Sequence, residues 1–226
     1  YGGNAAMMHY HATPEDHAVL QRKGFLLVDS GATYLDGTTD ITRTYPLGEL
    51  TEDERLFYTW TLQCHIDIAK AVWLDYCDCH MLDTIAREPL WRHLINYRCG
   101  TGHSVSFVGN VHEGPHALNG RNTVVFQPGM IVTDEPGVYE GGQVGIRIEN
   151  ELMCVHKADN QYGTFLGFEP IMFVPIATSP VVPGVLTRDE LDWLNAYHRE
   201  VFTKLAPRLT EDERDWLAKK CAAIGA

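Results

Sequence analysis

The stretch from Phe25 to Thr44, FLLVDSGATYLDGTTDITRT, constrains this chain more than any other. Its apolar run Phe25-Leu26-Leu27-Val28 has the character of a buried strand, and the run stops on a carboxylate, Asp29. A second strand is predicted over Thr38–Tyr45, rich in β-branched residues and carrying Asp40. Between them Asp36-Gly37 is a strong hairpin signal. A two-residue turn at that pair places Asp40 opposite Thr33, with Asp29 four residues further along. Side chains alternate with period two, so both aspartates then share a face, but four residues of strand cover roughly 13 Å. A bulge near Gly31, or strong local twist, is therefore expected to bring the carboxylates together.

Chain-wide properties narrow the function classes. The 226 residues are enough for a large core in one or two domains, and no apolar stretch is long enough to cross a bilayer. A formal net charge of −12 argues against nucleic acid or an anionic membrane as partner. Carboxylates converging on metal ions would neutralise part of it. Six cysteines are too sparse for a disulfide scaffold and suggest a reducing cytoplasm. The chain opens at Tyr1 without an initiator methionine and reads as a fragment or a processed product, with no visible signal peptide.

In chain order, Tyr1–His11 is expected to form a strand and Thr13–Lys23 a polar connection. Thr51 and Glu54 form a capping box that opens a helix running to about Trp73. A second helical pattern over Met81–Tyr97 contains Pro89, where it should kink or break. Cys99-Gly100-Thr101-Gly102-His103 must be a shaped loop, and it continues into Asn110–Pro115. Strands are predicted over Met130–Glu135, Gln143–Val155 and Phe165–Ile176. Capping boxes at Thr187/Glu190 and Thr210/Glu213 open two terminal helices.

Five residues stand out as a ligand set: Asp29, Asp40, His103, Glu135 and Glu149. Four carboxylates with one imidazole suit Mn²⁺ or another octahedral divalent ion, and can also hold Zn²⁺ or Co²⁺. So many carboxylates in an apolar setting would repel one another without cations between them. Two ions, bridged by Asp40 and Glu149, would resolve the repulsion and acidify a shared water to give a hydroxide nucleophile. Arg147 lies two residues from Glu149 on the same strand face; it either orients a liganding carboxylate or forms a plain strand ion pair.

LLVDSG…TTDITRT, GTGHSV…NVHEGP, IVTDEPG and GIRIEN, in that order, resemble the dinuclear metallopeptidases of the pita-bread fold. More closely they resemble the eukaryotic, cytosolic-type Xaa-Pro aminopeptidases, and the likeness extends through the tail GFEP…DELDWLNAYH. The resemblance implies an α+β fold: a curved antiparallel sheet with covering helices and pseudo-twofold halves. It implies a catalytic domain over 1–177, incomplete at its N-terminus, and a helical extension over 178–226. Asp29 would ligate one ion and His103 with Glu135 the other, while Asp40 and Glu149 bridge them. Glu135 would also move a proton, His112 would contact the scissile carbonyl, and His9 would line the substrate pocket. Substrates would be peptides with proline in second position, and the full-length protein would be a cytoplasmic homodimer. Prolidase-like dipeptide cleavage and a binding module that has lost catalysis are the alternatives.

One residue departs from the family pattern. Four residues before His103 the family usually has a histidine, and here Cys99 stands there. It is expected to be a space-filling thiol rather than a thiolate ligand. His65, His80, His116 and the Cys77-Asp78-Cys79-His80 run match no ligand of the family, and that run lacks a second pair at zinc-finger spacing.

Overall fold

The computed structural model describes residues 1–225, all but the last residue of the chain. The central hairpin forms from β1 (Phe25–Tyr34) and β2 (Gly37–Pro46), but in a different register from the expected one. Tyr34 pairs with Gly37, so Leu35 and Asp36 make the turn, and Asp40 faces Gly31 rather than Thr33. The pairing is continuous, with no bulge. Two features explain the shift. Leu35 and Asp36 keep negative φ, and only Gly37, at 147°, adopts the conformation that glycine favours. Gly31 lets the strands meet, because a Cβ there would lie 2.2 Å from the Thr39 carbonyl oxygen. Asp29 now pairs with Thr42, so the two aspartates are only two rungs apart on one face.

After the hairpin, α1 (Glu52–Ala69) starts on the predicted capping box, Thr51 accepting from the Glu54 N–H and Glu54 reaching back to Thr51. It stops four residues short of Trp73, which belongs instead to a short strand, β3 (Val72–Leu74). Helix α2 (Cys79–Trp91) is capped by Asp78 and ends two residues past Pro89. Residues 92–130 form no helix or strand and carry the glycine-rich loop. Then come β4 (Ile131–Asp134), β5 (Gly137–Glu140), β6 (Val144–Arg147), β7 (Asn150–Asn160) and β8 (Gly163–Pro170). The predicted strand Gln143–Val155 is thus two strands, broken at Ile148-Glu149, and the last strand ends at Pro170 rather than Ile176. The N-terminal segment is a 3-10 helix, Gly2–Ala6, and not a strand. Helices α3 (Arg188–Leu205) and α4 (Glu211–Lys220) close the chain, each on its predicted capping box.

All strand pairing is antiparallel: the β1-β2 hairpin, a four-stranded sheet ordered β3-β8-β7-β4, and the β5-β6 hairpin. Two cores pack this arrangement. One joins Phe25 of β1, Tyr58, Leu62 and Ile66 of α1, Ile146 of β6, and Leu194 and Val201 of α3. The other places Ile68, Leu82 and Ala86 of α1 and α2 on Val132, Leu152 and Leu166 of the larger sheet. Each fully buried Leu or Ile contributes about 1.5–3 kcal/mol, so the helices hold the sheets rigidly where they meet. The Glu149 N–H donates to the Thr42 carbonyl at that junction, where the chain passes from one sheet to the next.

Candidate metal centre

The junction gathers the acidic residues. Ligand atoms of Asp40, His103 and Glu149 all lie within 4.8 Å of one another. Asp40 comes from the middle of β2, Glu149 from the break between β6 and β7, and His103 from the glycine-rich loop. That loop reaches the site because Gly102 rides against β4: a Cβ there would meet the Thr133 carbonyl oxygen at 1.8 Å. The His103 N–H donates to Thr133 Oγ1 and the Thr133 N–H to the His103 carbonyl, which fixes the loop to the strand.

His103 Nδ1 lies 3.1 Å from the Ser104 carbonyl oxygen, to which it donates, leaving Nε2 to face the carboxylates. Nε2 is 3.2 Å from Glu135 Oε1 and 3.4 Å from Asp40 Oδ2. Burial opposes a charge on the ring, but bonding to Asp40 and Glu135 outweighs it and raises the pKa to about 10. Glu149 is buried; burial first, then the charges of Glu135 and Asp40, push its carboxyl far above the usual range. Its Oε2 accepts from Thr42 Oγ1 at 2.6 Å, while its buried Oε1 has no partner. A buried carboxylate oxygen left unpaired is costly. Its neighbours are two more carboxylates and an imidazole whose Nε2 faces them, where a bound cation would take the place of the Nε2 proton. The donor set therefore fits divalent cations.

Asp29 stands apart from the three converging residues and is half exposed. Its Oδ2 accepts from Arg147 Nη2 at 2.6 Å. Arg147 is buried and also donates to Thr42 Oγ1 at 2.9 Å and Tyr139 Oη at 3.1 Å, with Glu135 3.8 Å away. Its close carboxylate contact is with Asp29 rather than with Glu149. His112 is exposed, its ring edge-on to His103 with centroids 4.0 Å apart. His9 lies in an exposed turn, and none of the hydrogen bonds or ion pairs among the described residues joins it to the cluster.

Cys99 is partly buried beside Tyr97, Val138 and Tyr139. Burial, and then the Glu135 charge, hold its thiol above the ordinary range, and it is not among the converging ligand atoms. His65 is fully buried, with Nδ1 2.9 Å from Asp134, and it braces α1 against the end of β4. His116 is buried and bonds the Ile131 carbonyl through Nε2 at 2.7 Å, and His80 is exposed.

Three supporting residues escaped the sequence reading although a signal exists for each. Thr42, Thr133 and Glu151 lie two residues from Asp40, Glu135 and Glu149, the spacing that returns a side chain to the same face. Thr133 Oγ1 donates to Glu135 at 3.0 Å. Glu151 accepts from the Asp40 N–H at 2.6 Å, and burial raises its carboxyl to about 7. A groove of about 770 Å³ opens beside the cluster, lined by Tyr34, Thr38, Phe107, Glu113, His116 and Glu151 among others.

Residues 1–156 match metallopeptidase family M24, and residues 164–224 match the C-terminal region of that peptidase family. Aminopeptidase P1 of Lotus japonicus is 42% identical over 230 residues, which are 99% of this chain and 35% of that protein. Aminopeptidase P2 of Arabidopsis thaliana is 44% identical over 223 residues, 96% of this chain and 31% of that protein. The chain spans about a third of the length of these curated relatives. Among solved structures, the X-prolyl aminopeptidase of Caenorhabditis elegans aligns with a TM-score of 0.92 at 37% identity, over 99% of this chain and 37% of that one. That protein is described as a cytosolic enzyme with a di-nuclear active site. Prolidase from Pyrococcus furiosus aligns with a TM-score of 0.64 at 27% identity, over 75% of this chain and 46% of that one.

Proposed function

The chain belongs to metallopeptidase family M24 and has its pita-bread α+β fold, and from that premise we propose that it carries the catalytic centre of an Xaa-Pro aminopeptidase. The observation that carries the reading is the convergence of Asp40, His103 and Glu149 within 4.8 Å, with one buried Glu149 oxygen unpartnered. Asp40 and Glu149 would bridge two divalent cations, with Asp29 completing one site and His103 and Glu135 the other. Mn²⁺ is favoured by a set of mostly carboxylate oxygens. Bound there, the cations would supply Lewis acidity and make a bound water acidic enough to act as a nucleophile at neutral pH.

The chain's own residues do the rest. Glu135, held by Thr133 and next to His103, would take a proton and return it to the leaving amine. Arg147 holds Asp29, so the ligand keeps its orientation while substrate enters. His112, exposed and edge-on to His103, would donate to the oxyanion that develops on the scissile carbonyl. His9 would line the pocket once a substrate is present. The peptide would lie along the groove beside the cluster. A cytoplasmic location and a homodimer of the full-length protein complete the proposal; no helix among the described residues is long and apolar enough to cross a membrane.

Aminopeptidase action is preferred to prolidase action because the aminopeptidase likeness covers 99% of the chain and the prolidase likeness 75%. Incubating the chain with Mn²⁺ and either an Xaa-Pro dipeptide or a longer Xaa-Pro peptide separates them. Release of the first residue from the longer peptide is expected. Cleavage of the dipeptide alone would favour prolidase chemistry, and cleavage of neither would leave a binding module.

A further inference from the structure

Arg43 lies next to Thr42, yet its side chain points away from the cluster into the interior, where it is 3% exposed. Among the described residues no carboxylate stands within ion-pair distance of it. A buried cation without a counter-ion is expensive unless every donor is bonded. Here the five guanidinium N–H groups have six acceptors. Nη1 donates to the Thr42 carbonyl at 2.9 Å and to the Glu149 carbonyl. Nη2 reaches Asn150 Oδ1 at 2.8 Å, the Val174 carbonyl at 2.7 Å and Tyr197 Oη at 3.0 Å, and Nε the Pro175 carbonyl at 3.2 Å. Arg43 thus clamps residues 149 and 150 from behind, while Thr42 holds the Glu149 carboxylate from in front.

The third side of the clamp comes from the C-terminal helix α3. Tyr197 is buried, and its hydroxyl lies 3.2 Å from Asn150 Oδ1 and 3.0 Å from the carbonyls of Met172 and Val174. It also accepts from the Arg43 guanidinium. One turn earlier on α3, Trp193 stacks on Tyr197 with ring centroids 5.5 Å apart and meets the edge of His65. His65 Nε2 in turn lies 3.3 Å from Asn150 Nδ2. Both polar ends of the Asn150 side chain are therefore fixed, one through α3 and one through α1.

We propose that Tyr197 is a positioning residue for the metal centre: with Arg43 and Asn150 it holds Glu149 so that its free oxygen faces Asp40 and His103. This rests on the reading of Glu149 as a ligand. Helix α3 then supports the metal centre rather than being an appendage to it. Groups that orient a metal ligand from behind typically change affinity 10–100-fold when removed.

Tyr197→Phe removes only the hydroxyl. The control is Tyr58→Phe, which deletes an equally buried hydroxyl bonded to the Ala177 carbonyl at 2.7 Å, away from Glu149. Mn²⁺ binding to the metal-free chain is followed by titration calorimetry, with thermal melting recorded beside it. Tyr197→Phe should weaken binding about 10-fold or more, while Tyr58→Phe lowers the melting temperature and leaves affinity unchanged. Arg43→Lys is the second variant, since an ammonium offers three donors where the guanidinium spreads five over six acceptors, and it should weaken binding at least as far. Wild-type affinity in both variants would overturn the proposal and leave the site reading standing. A wild-type chain that binds no Mn²⁺ would overturn the site reading itself.

Discussion

His112 and Cys99 are the two residues whose roles the geometry now makes testable one at a time. His112 touches the His103 ring from the exposed side but is not one of the converging ligands. Replacing it with Ala should leave the bound ions in place and lower kcat by roughly 10²–10³, the scale of one lost oxyanion donor. Loss of metal along with activity, read by elemental analysis, would make it a ligand instead. Cys99 carries a thiol held above its ordinary range by burial and by Glu135. Below that range it stays protonated, so alkylation at neutral pH should be slower than for a free thiol, accelerate as pH rises, and expel no ion. Rapid labelling with release of an ion would instead mark a thiolate ligand. At this scale the acidic residues were readable because a carboxylate ending an apolar run, as Asp29 ends FLLV, is anomalous in itself. Arg43 was not readable as a clamp. Nothing local to TRT states that five of its six acceptors lie more than 100 residues away.

Helix starts were legible because a capping box is a contact within four residues, and all three predicted boxes formed. Hairpin register was not, since it depends on where Gly37 takes its positive φ and on how closely Gly31 lets Thr39 approach. The β6-β7 break at Glu149 was equally hidden, because hydrogen bonds from and to β2 impose it. An element-level consequence follows for α3. His198 is buried on it and accepts from the Ile176 N–H at 3.1 Å; burial, then the Arg43 charge, lowers its pKa to about 4. The unfolded chain takes up this proton near pH 6.5, and the folded chain only near pH 4. Its stabilising effect is therefore complete above about pH 6.5 and lost as pH falls to 4, by roughly 3 kcal/mol. His198→Gln keeps an acceptor for Ile176 but cannot titrate. Denaturant unfolding across pH 4–7 should show a flatter profile for this variant, and parallel profiles would refute the buried neutral histidine.

At the scale of the whole molecule, the first core runs without interruption from β1 through α1 and β6 to α3 and α4. The hairpin that carries Asp29 and Asp40 and the terminal helices therefore share one apolar interior. The capping box at Thr187 and Glu190 marked where α3 starts, but not that the helix covers the β6-β7 junction, because which surfaces meet is decided only in three dimensions. The shared interior holds Asp40, His103 and Glu149 together from three separate segments, and on the proposed reading two cations would offset the repulsion among the carboxylates. The most direct measurement of that claim is turnover of an Xaa-Pro peptide by the chelator-stripped chain as Mn²⁺ is returned stepwise. Turnover should be absent at the start and level off near two ions per chain. Activity that survives stripping, or that saturates with a single ion, would contradict a two-ion centre.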